Sequence, residues 1–135
     1  MYTINKKTVI KFASLLGFLA ALHITPVSAN PNETAACASH IQEKISWDNN
    51  GHTKWEQKNI EKLCKGTTNP KEPGECFKKV MSGHVKWGEG DKWEWENAID
   101  LCSGTNDSEQ TIECFKKEVH AGTAWKEAIA KCQAK

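Results

Sequence analysis

The feature that most constrains this chain is an internal repeat that carries its cysteines. Residues 63–79, LCKGTTNPKEPGECFKK, align without a gap on residues 101–117, LCSGTNDSEQTIECFKK, at an offset of 38. Repeats of roughly 20–50 residues are typical of supersecondary units that stack on one another. The cysteines then define three predicted units, the last one shortened: residues 37–64, 76–102 and 114–132.

Each unit shows the pattern of two helices. The segment WENAIDLC (95–102) places Trp, Ala, Ile and Cys at positions i, i+3, i+4 and i+7, and WKEAIAKC (125–132) repeats that spacing. Side chains so spaced share one helix face. Gly66 and Gly104 follow two residues after a cysteine, where a glycine can end a helix. We predict an all-α fold of five or six helices, arranged as stacked helical hairpins that disulfides link.

Local signals place the start of two of these helices. Residues 53–56 (TKWE) and 91–94 (DKWE) both match a capping box, in which a Thr or Asp caps the helix and a Glu lies three residues later. The sequence therefore predicts helices that begin directly after Thr53 and Asp91.

The spacing of the six cysteines narrows their pairing, although six cysteines allow 15 connectivities. An arm of about ten helical residues spans roughly 15 Å, so an antiparallel return brings the two cysteines of a unit to the same end. This geometry favours pairing within units: Cys37 with Cys64, Cys76 with Cys102, and Cys114 with Cys132. The alternative links neighbouring units through Cys64–Cys76 and Cys102–Cys114, and leaves Cys37 with Cys132.

The first 29 residues have the order of a secretory signal peptide. Lysines precede an apolar stretch, residues 12–24, and Val27-Ser28-Ala29 suits cleavage after Ala29. The stretch is too short for a bilayer that needs about 20 apolar residues. We therefore expect a single helical domain, residues 30–135, with no transmembrane span, secreted or periplasmic. Cysteines in such compartments form disulfides.

Charge and composition exclude one class of partner. The chain has 18 lysines, no arginine and 17 acidic residues, and loss of the signal removes three lysines. A nearly neutral protein without arginine lacks the side chain that most often reads guanine and binds phosphate bidentately. We therefore expect a protein or glycan partner and no nucleic acid.

Catalytic and metal-binding patterns are weak. The sequence has no Cys-x-x-Cys and no His-x-x-x-His pair, so we expect no metal and no cofactor. The run from Asp48 to Gly51 predicts a turn, because it lacks the later glutamate of a calcium loop. An envelope enzyme or enzyme inhibitor remains the alternative, and only Glu89, Asp91 and His84 could be nominated for it.

Six tryptophans are the most informative candidates for binding. Trp95 and Trp125 lie on the helix face that carries Cys102 or Cys132, which we call the cysteine stripe, and are predicted to be core. Trp93 points about 200° away from Trp95 around the helix, toward solvent or a neighbouring hairpin. Exposed tryptophans beside polar groups make contact surfaces. The alternative is that a thin core recruits all six. The candidate binding residues are Trp47, Trp55, Trp87, Glu89, Asp91 and Trp93.

The segments LCKGTTN, LCSGTND, ECFKK and WENAIDLC resemble a repeat of small exported bacterial proteins, in which Ala-Ile-x-Leu-Cys-x-Gly alternates with Cys-Phe or Cys-Tyr. The resemblance covers residues 55–132. It implies export and disulfides, and it supplies no site because that group has no established activity. The function predicted is a non-enzymatic interaction module, secreted or periplasmic, that acts on a host or on the cell envelope.

Overall fold

The computed structural model describes residues 30–134, so the predicted signal peptide lies outside the described residues. These residues form no strand, and none of their helices is long and apolar enough to cross a membrane. The predicted all-α fold class is confirmed. The six helices are α1 (Pro31–Ile41), α2 (Gln57–Cys64), α3 (Glu72–Lys79), α4 (Trp95–Cys102), α5 (Ser108–His120) and α6 (Trp125–Cys132). A π-helical turn, Val80–His84, extends α3.

Three disulfides each join the two helices of one consecutive pair. We call these pairs the first hairpin (α1 and α2), the second (α3 and α4) and the third (α5 and α6). The favoured pairing is confirmed, and the alternative that linked neighbouring units is wrong. The bonds are Cys37–Cys64, Cys76–Cys102 and Cys114–Cys132, with sequence separations of 27, 26 and 18.

Aromatic pairs hold each hairpin against the next one. The ring of Trp55, from the first hairpin, packs on Phe77 of α3 with 4.8 Å between centroids. Trp93, from the second hairpin, packs on Phe115 of α5 at 5.0 Å. Both phenylalanines are fully buried, and both tryptophans are only 5% exposed. The same contact therefore joins the first hairpin to the second and the second to the third.

Each of these tryptophans is also fixed by a buried hydrogen bond. The indole N–H of Trp55 donates to the carbonyl of Ile45 at 2.8 Å, and that of Trp93 donates to the carbonyl of Val85 at 2.7 Å. The indole polar group is thereby satisfied inside the core, as a buried tryptophan requires. Trp93 thus faces the neighbouring hairpin and not solvent, which were the two directions that its helical position left open.

The two predicted capping boxes are wrong. Helix α2 has Glu56 as its N-cap and α4 has Glu94, neither with a side-chain capping bond, so both helices begin later than predicted. The reason is the tryptophan in each segment. Residues 53–56 and 91–94 precede the helices, and this places the indole in the core between two hairpins.

The loops that connect successive hairpins bond to each other. The side-chain oxygen of Asn106 accepts from the backbone N–H groups of Thr68, at 2.6 Å, and Asn69, at 3.0 Å. Gly104 donates its N–H to the carbonyl of Leu63 at 2.8 Å. Its φ is +67°, and a Cβ there would lie 2.3 Å from the carbonyl oxygen of Lys65, so only glycine fits. The helix-ending role predicted for this glycine therefore includes a close approach between loops.

Candidate functional site

Two pockets with matching linings lie between successive hairpins. We name them pocket A, between the first and second hairpins, and pocket B, between the second and third. Their volumes are about 230 Å³ and 150 Å³. Pocket A is lined by Trp47, Lys54, Trp55, Glu56, Asn59 and Trp95. Pocket B is lined by Trp87, Lys92, Trp93, Glu94, Asn97 and Trp125.

Two half-buried tryptophan rings form the walls of each pocket. In pocket A the rings of Trp47 and Trp95 lie 6.2 Å apart, edge to face at 80°. In pocket B the rings of Trp87 and Trp125 lie 6.1 Å apart, tilted by 55°. One ring comes from the loop inside a hairpin and the other from the following hairpin. Each pocket therefore exists only when two hairpins are packed together.

The predicted core positions of Trp95 and Trp125 are wrong, because both side chains are only partly buried and pack at the edge of the core. Each is the first residue of its helix, so it lies at the end of the cysteine stripe. The core positions beside them are filled by Trp55 and Trp93 from the segments before α2 and α4. Because α2 and α4 begin later than predicted, Trp55 and Trp93 are the buried tryptophans, and Trp95 and Trp125 stay partly exposed.

Polar side chains complete pocket B. The side chains of Lys92, Glu94 and Asn97 make no hydrogen bond or ion pair with any other described residue. They therefore offer a cation, an anion and an amide to a ligand. In pocket A the corresponding Glu56 pairs with Lys58 at 2.8 Å on the surface.

The indole N–H groups at the pocket walls differ in their use. Trp87 donates to the carbonyl of Lys92 at 2.9 Å, which closes the turn that carries it. The indole N–H groups of Trp95 and Trp125 have no acceptor among residues 30–134. The ammonium group of Lys126 lies 5.2 Å from the centre of the Trp125 ring. The indole N–H of Trp47 also has no acceptor among these residues, so pocket A has two available indole donors and pocket B has one.

A hydrogen-bonded turn positions Trp47. Asp48 accepts from the N–H groups of Asn50, at 3.1 Å, and His52, at 3.0 Å, and from the His52 ring at 2.6 Å. That ring stacks on Trp47 with 5.7 Å between centroids. The predicted turn is therefore present. Within residues 30–134, no group of three or more His, Cys, Asp or Glu side chains could hold a metal ion.

Asp48 gives this turn a pH dependence. Burial opposes ionisation of the carboxyl group, but the hydrogen bonds from His52 and Asn50 outweigh it and lower the pKa of Asp48 to about 2. A depressed pKa stabilises the folded turn above the ordinary value of 3.8, and that contribution is lost as the pH falls toward 2. We expect the Asp48 carboxyl carbon to titrate by NMR with a midpoint near 2. A midpoint near 4, or an unchanged His52 environment in D48A, would contradict this assignment.

Four of the six candidate binding residues line the pockets, two in each. Trp47 and Trp55 line pocket A, and Trp87 and Trp93 line pocket B. Glu89 and Asp91 are exposed and line neither pocket.

Sequence reasoning missed the polar lining and the second wall of each pocket. A signal was present: Lys, Trp, Glu and Asn recur at the same offsets in KWEQKN (54–59) and KWEWEN (92–97). No sequence pattern identified Trp95 and Trp125 as pocket residues, because their positions on the cysteine stripe predicted core side chains.

No protein-family model, curated protein or solved structure matches the chain.

Proposed function

We propose that the protein is a non-catalytic binding module, secreted or periplasmic, and that pockets A and B each hold one ring of a glycan. The observation that carries this proposal is the duplication of one lining at two junctions of the same fold. Two like pockets in a row suit a ligand that itself repeats. A polysaccharide is such a ligand.

The lining chemistry matches a sugar ring. A pyranose has an apolar C–H face that packs on an indole ring, and hydroxyl groups that need both donors and acceptors. In pocket B the walls supply the indole faces, and Lys92, Glu94 and Asn97 supply donors and acceptors. One lysine and one glutamate leave the lining without net charge, which suits a neutral sugar.

The small volume of each pocket also supports the binding of one sugar ring. Sites for drug-sized ligands have volumes of about 300–1,000 Å³, whereas these pockets measure about 230 Å³ and 150 Å³. Each is therefore suited to one ring of a longer ligand. Occupation of both pockets by one chain would raise the affinity through effective concentration.

The enzyme or inhibitor alternative has less support. Glycoside hydrolysis needs two carboxyl groups, about 5–9.5 Å apart, on either side of the scissile bond. Pockets A and B each contain a single carboxylate, Glu56 or Glu94. Glu89 and Asp91, the acids nominated from the sequence, lie outside both. This arrangement favours binding over hydrolysis.

The test is calorimetric titration of the exported protein with neutral hexasaccharides of glucose and N-acetylglucosamine, in both α and β linkages. We expect at least one to bind, and we expect W95A and W125A each to weaken it about tenfold, or ~1.4 kcal/mol. The free energy of unfolding should change little because both side chains are partly exposed. E89Q and D91N, outside the pockets, are the matched controls and should bind normally.

Two results would refute the proposal. One is the absence of binding to any of these oligosaccharides, which would leave a protein as the partner. The other is undiminished binding by the W95A/W125A double variant.

A further inference from the structure

A second concave site lies beside the turn that carries Trp87. This basic cleft, between that turn and helix α5, has a volume of about 730 Å³. Its charged and titratable lining consists of His84, Lys86, Glu113, Lys116, Lys117 and His120. Three lysines face one glutamate there, so the cleft is positively charged even when both histidines are neutral.

Most of this positive charge is uncompensated. Glu113 pairs with Lys116 at 2.8 Å. Lys86 and Lys117 form no ion pair with any described residue. One ring nitrogen of His84 lies 2.5 Å from the Ser82 hydroxyl, which leaves its other nitrogen open to the cleft. Lys86 and Lys117 thus present free donors to a ligand, and Glu113 is the one carboxylate in the lining.

The first junction has a cleft in the corresponding place, with different chemistry. Its lining includes Lys44, Ser46, Asp48, Lys78 and Ser82. At corresponding positions the basic cleft has His84, Lys86, Gly88, Lys116 and His120. One acid, one lysine and two serines are thus replaced by a glycine, a lysine and two histidines. The lining at the first junction has one more lysine than acid, whereas the basic cleft has two more, so the larger positive charge is specific to the second junction.

We propose that the basic cleft binds a phosphate or sulfate ester. Such a group has several oxygens that only accept, and charge-assisted bonds from lysines to an oxyanion are the strong class of hydrogen bond. Lys86 and Lys117, which form no ion pair with a described residue, would balance the negative charge of the ester. This site is separate from pockets A and B and does not require that a glycan binds there. Lys86 and Trp87 are adjacent in the chain, so one turn lines both the cleft and pocket B.

The test is an NMR titration of the exported protein with glucose 6-phosphate, glucose 6-sulfate and glucose at fixed ionic strength. We expect both esters to shift the backbone amide signals of residues 84–88 and 116–120, and glucose to leave these signals unshifted. The double variant K86A/K117A should lower the affinity for the esters about tenfold. Its matched control, K44A/K78A in the other cleft, should leave that affinity unchanged.

The arms of the experiment separate the possible outcomes. Binding of only one ester would identify phosphate or sulfate as the preferred group. Equal shifts with glucose, or an equal loss of affinity in K44A/K78A, would overturn the proposal. W125A, which tests pocket B, should keep its affinity for the esters, so failure of the glycan proposal is recognised separately.

Discussion

Reduction of the three disulfides should unfold the protein. Bonds that close loops of 27, 26 and 18 residues each stabilise a fold by about 3–4 kcal/mol in the chain-entropy model. Together they are comparable to the whole stability of an ordinary domain, about 5–15 kcal/mol. We expect the helical signal in far-ultraviolet circular dichroism to collapse on reduction. Reoxidation should restore it.

A paired variant isolates one bond. Replacement of both cysteines in C37A/C64A removes a single disulfide without creating a free thiol, and it should cost about 3–4 kcal/mol in urea unfolding. A fully reduced and alkylated protein that kept its helices would contradict the claim that the disulfides stabilise the fold.

The second large effect is expected at the tryptophans between hairpins. Trp55 and Trp93 are each 5% exposed, and each packs on a buried phenylalanine. Replacement of such a side chain by alanine costs about 3–5 kcal/mol, because it removes the buried area and leaves a cavity. W55A and W93A should therefore show this loss in urea unfolding.

Trp47 and Trp87 provide matched controls for this experiment. They lie in the same two junctions but are only partly buried. Their alanine variants should lose about 1 kcal/mol, which is ordinary for a side chain outside the core. A further variant, W93F, keeps an aromatic ring but leaves the Val85 carbonyl without its donor, and should cost about 1–3 kcal/mol. Equal losses at Trp87 and Trp93 would mean that these two side chains do not differ in role.

Cysteine spacing was sufficient to predict much of the fold. The spacing predicts arms of matched length in each unit, so that antiparallel helices return the cysteines to one end, and the structure has the pairing that follows. The spacing of Trp, Ala, Ile and Cys in residues 95–102 and 125–132 also predicted real helices. These predictions succeeded because they depend on contacts within one hairpin.

The tryptophans were assigned less well because competing energies decide their position. A capping box at 53–56 or 91–94 is worth roughly 0.5–2 kcal/mol, whereas burial of an indole against a phenylalanine is worth about 3–5 kcal/mol. The larger effect prevails, so each segment stays outside the helix and buries Trp55 or Trp93. A helical wheel drawn from the predicted start places the wrong tryptophan in the core.

Pockets A and B could not be predicted from local pattern. The walls of pocket B are Trp87 and Trp125, which belong to different hairpins and meet only through tertiary packing. The recurrence of Lys, Trp, Glu and Asn in 54–59 and 92–97 shows that these two segments are alike. It does not show which tryptophan rings form the walls of the pockets. The predicted export depends on residues 1–29, outside the described residues.

The most direct test of which tryptophans belong to the core and which to the pockets is hydrogen exchange of their indole N–H groups, followed by NMR in heavy water. We expect slow exchange at Trp55 and Trp93, whose N–H groups are buried and bonded to backbone carbonyls. Trp47, Trp95 and Trp125 should exchange rapidly, and Trp87 at an intermediate rate because its bond to Lys92 is exposed. Exchange at Trp93 as fast as at Trp125 would contradict the division into core and pocket tryptophans.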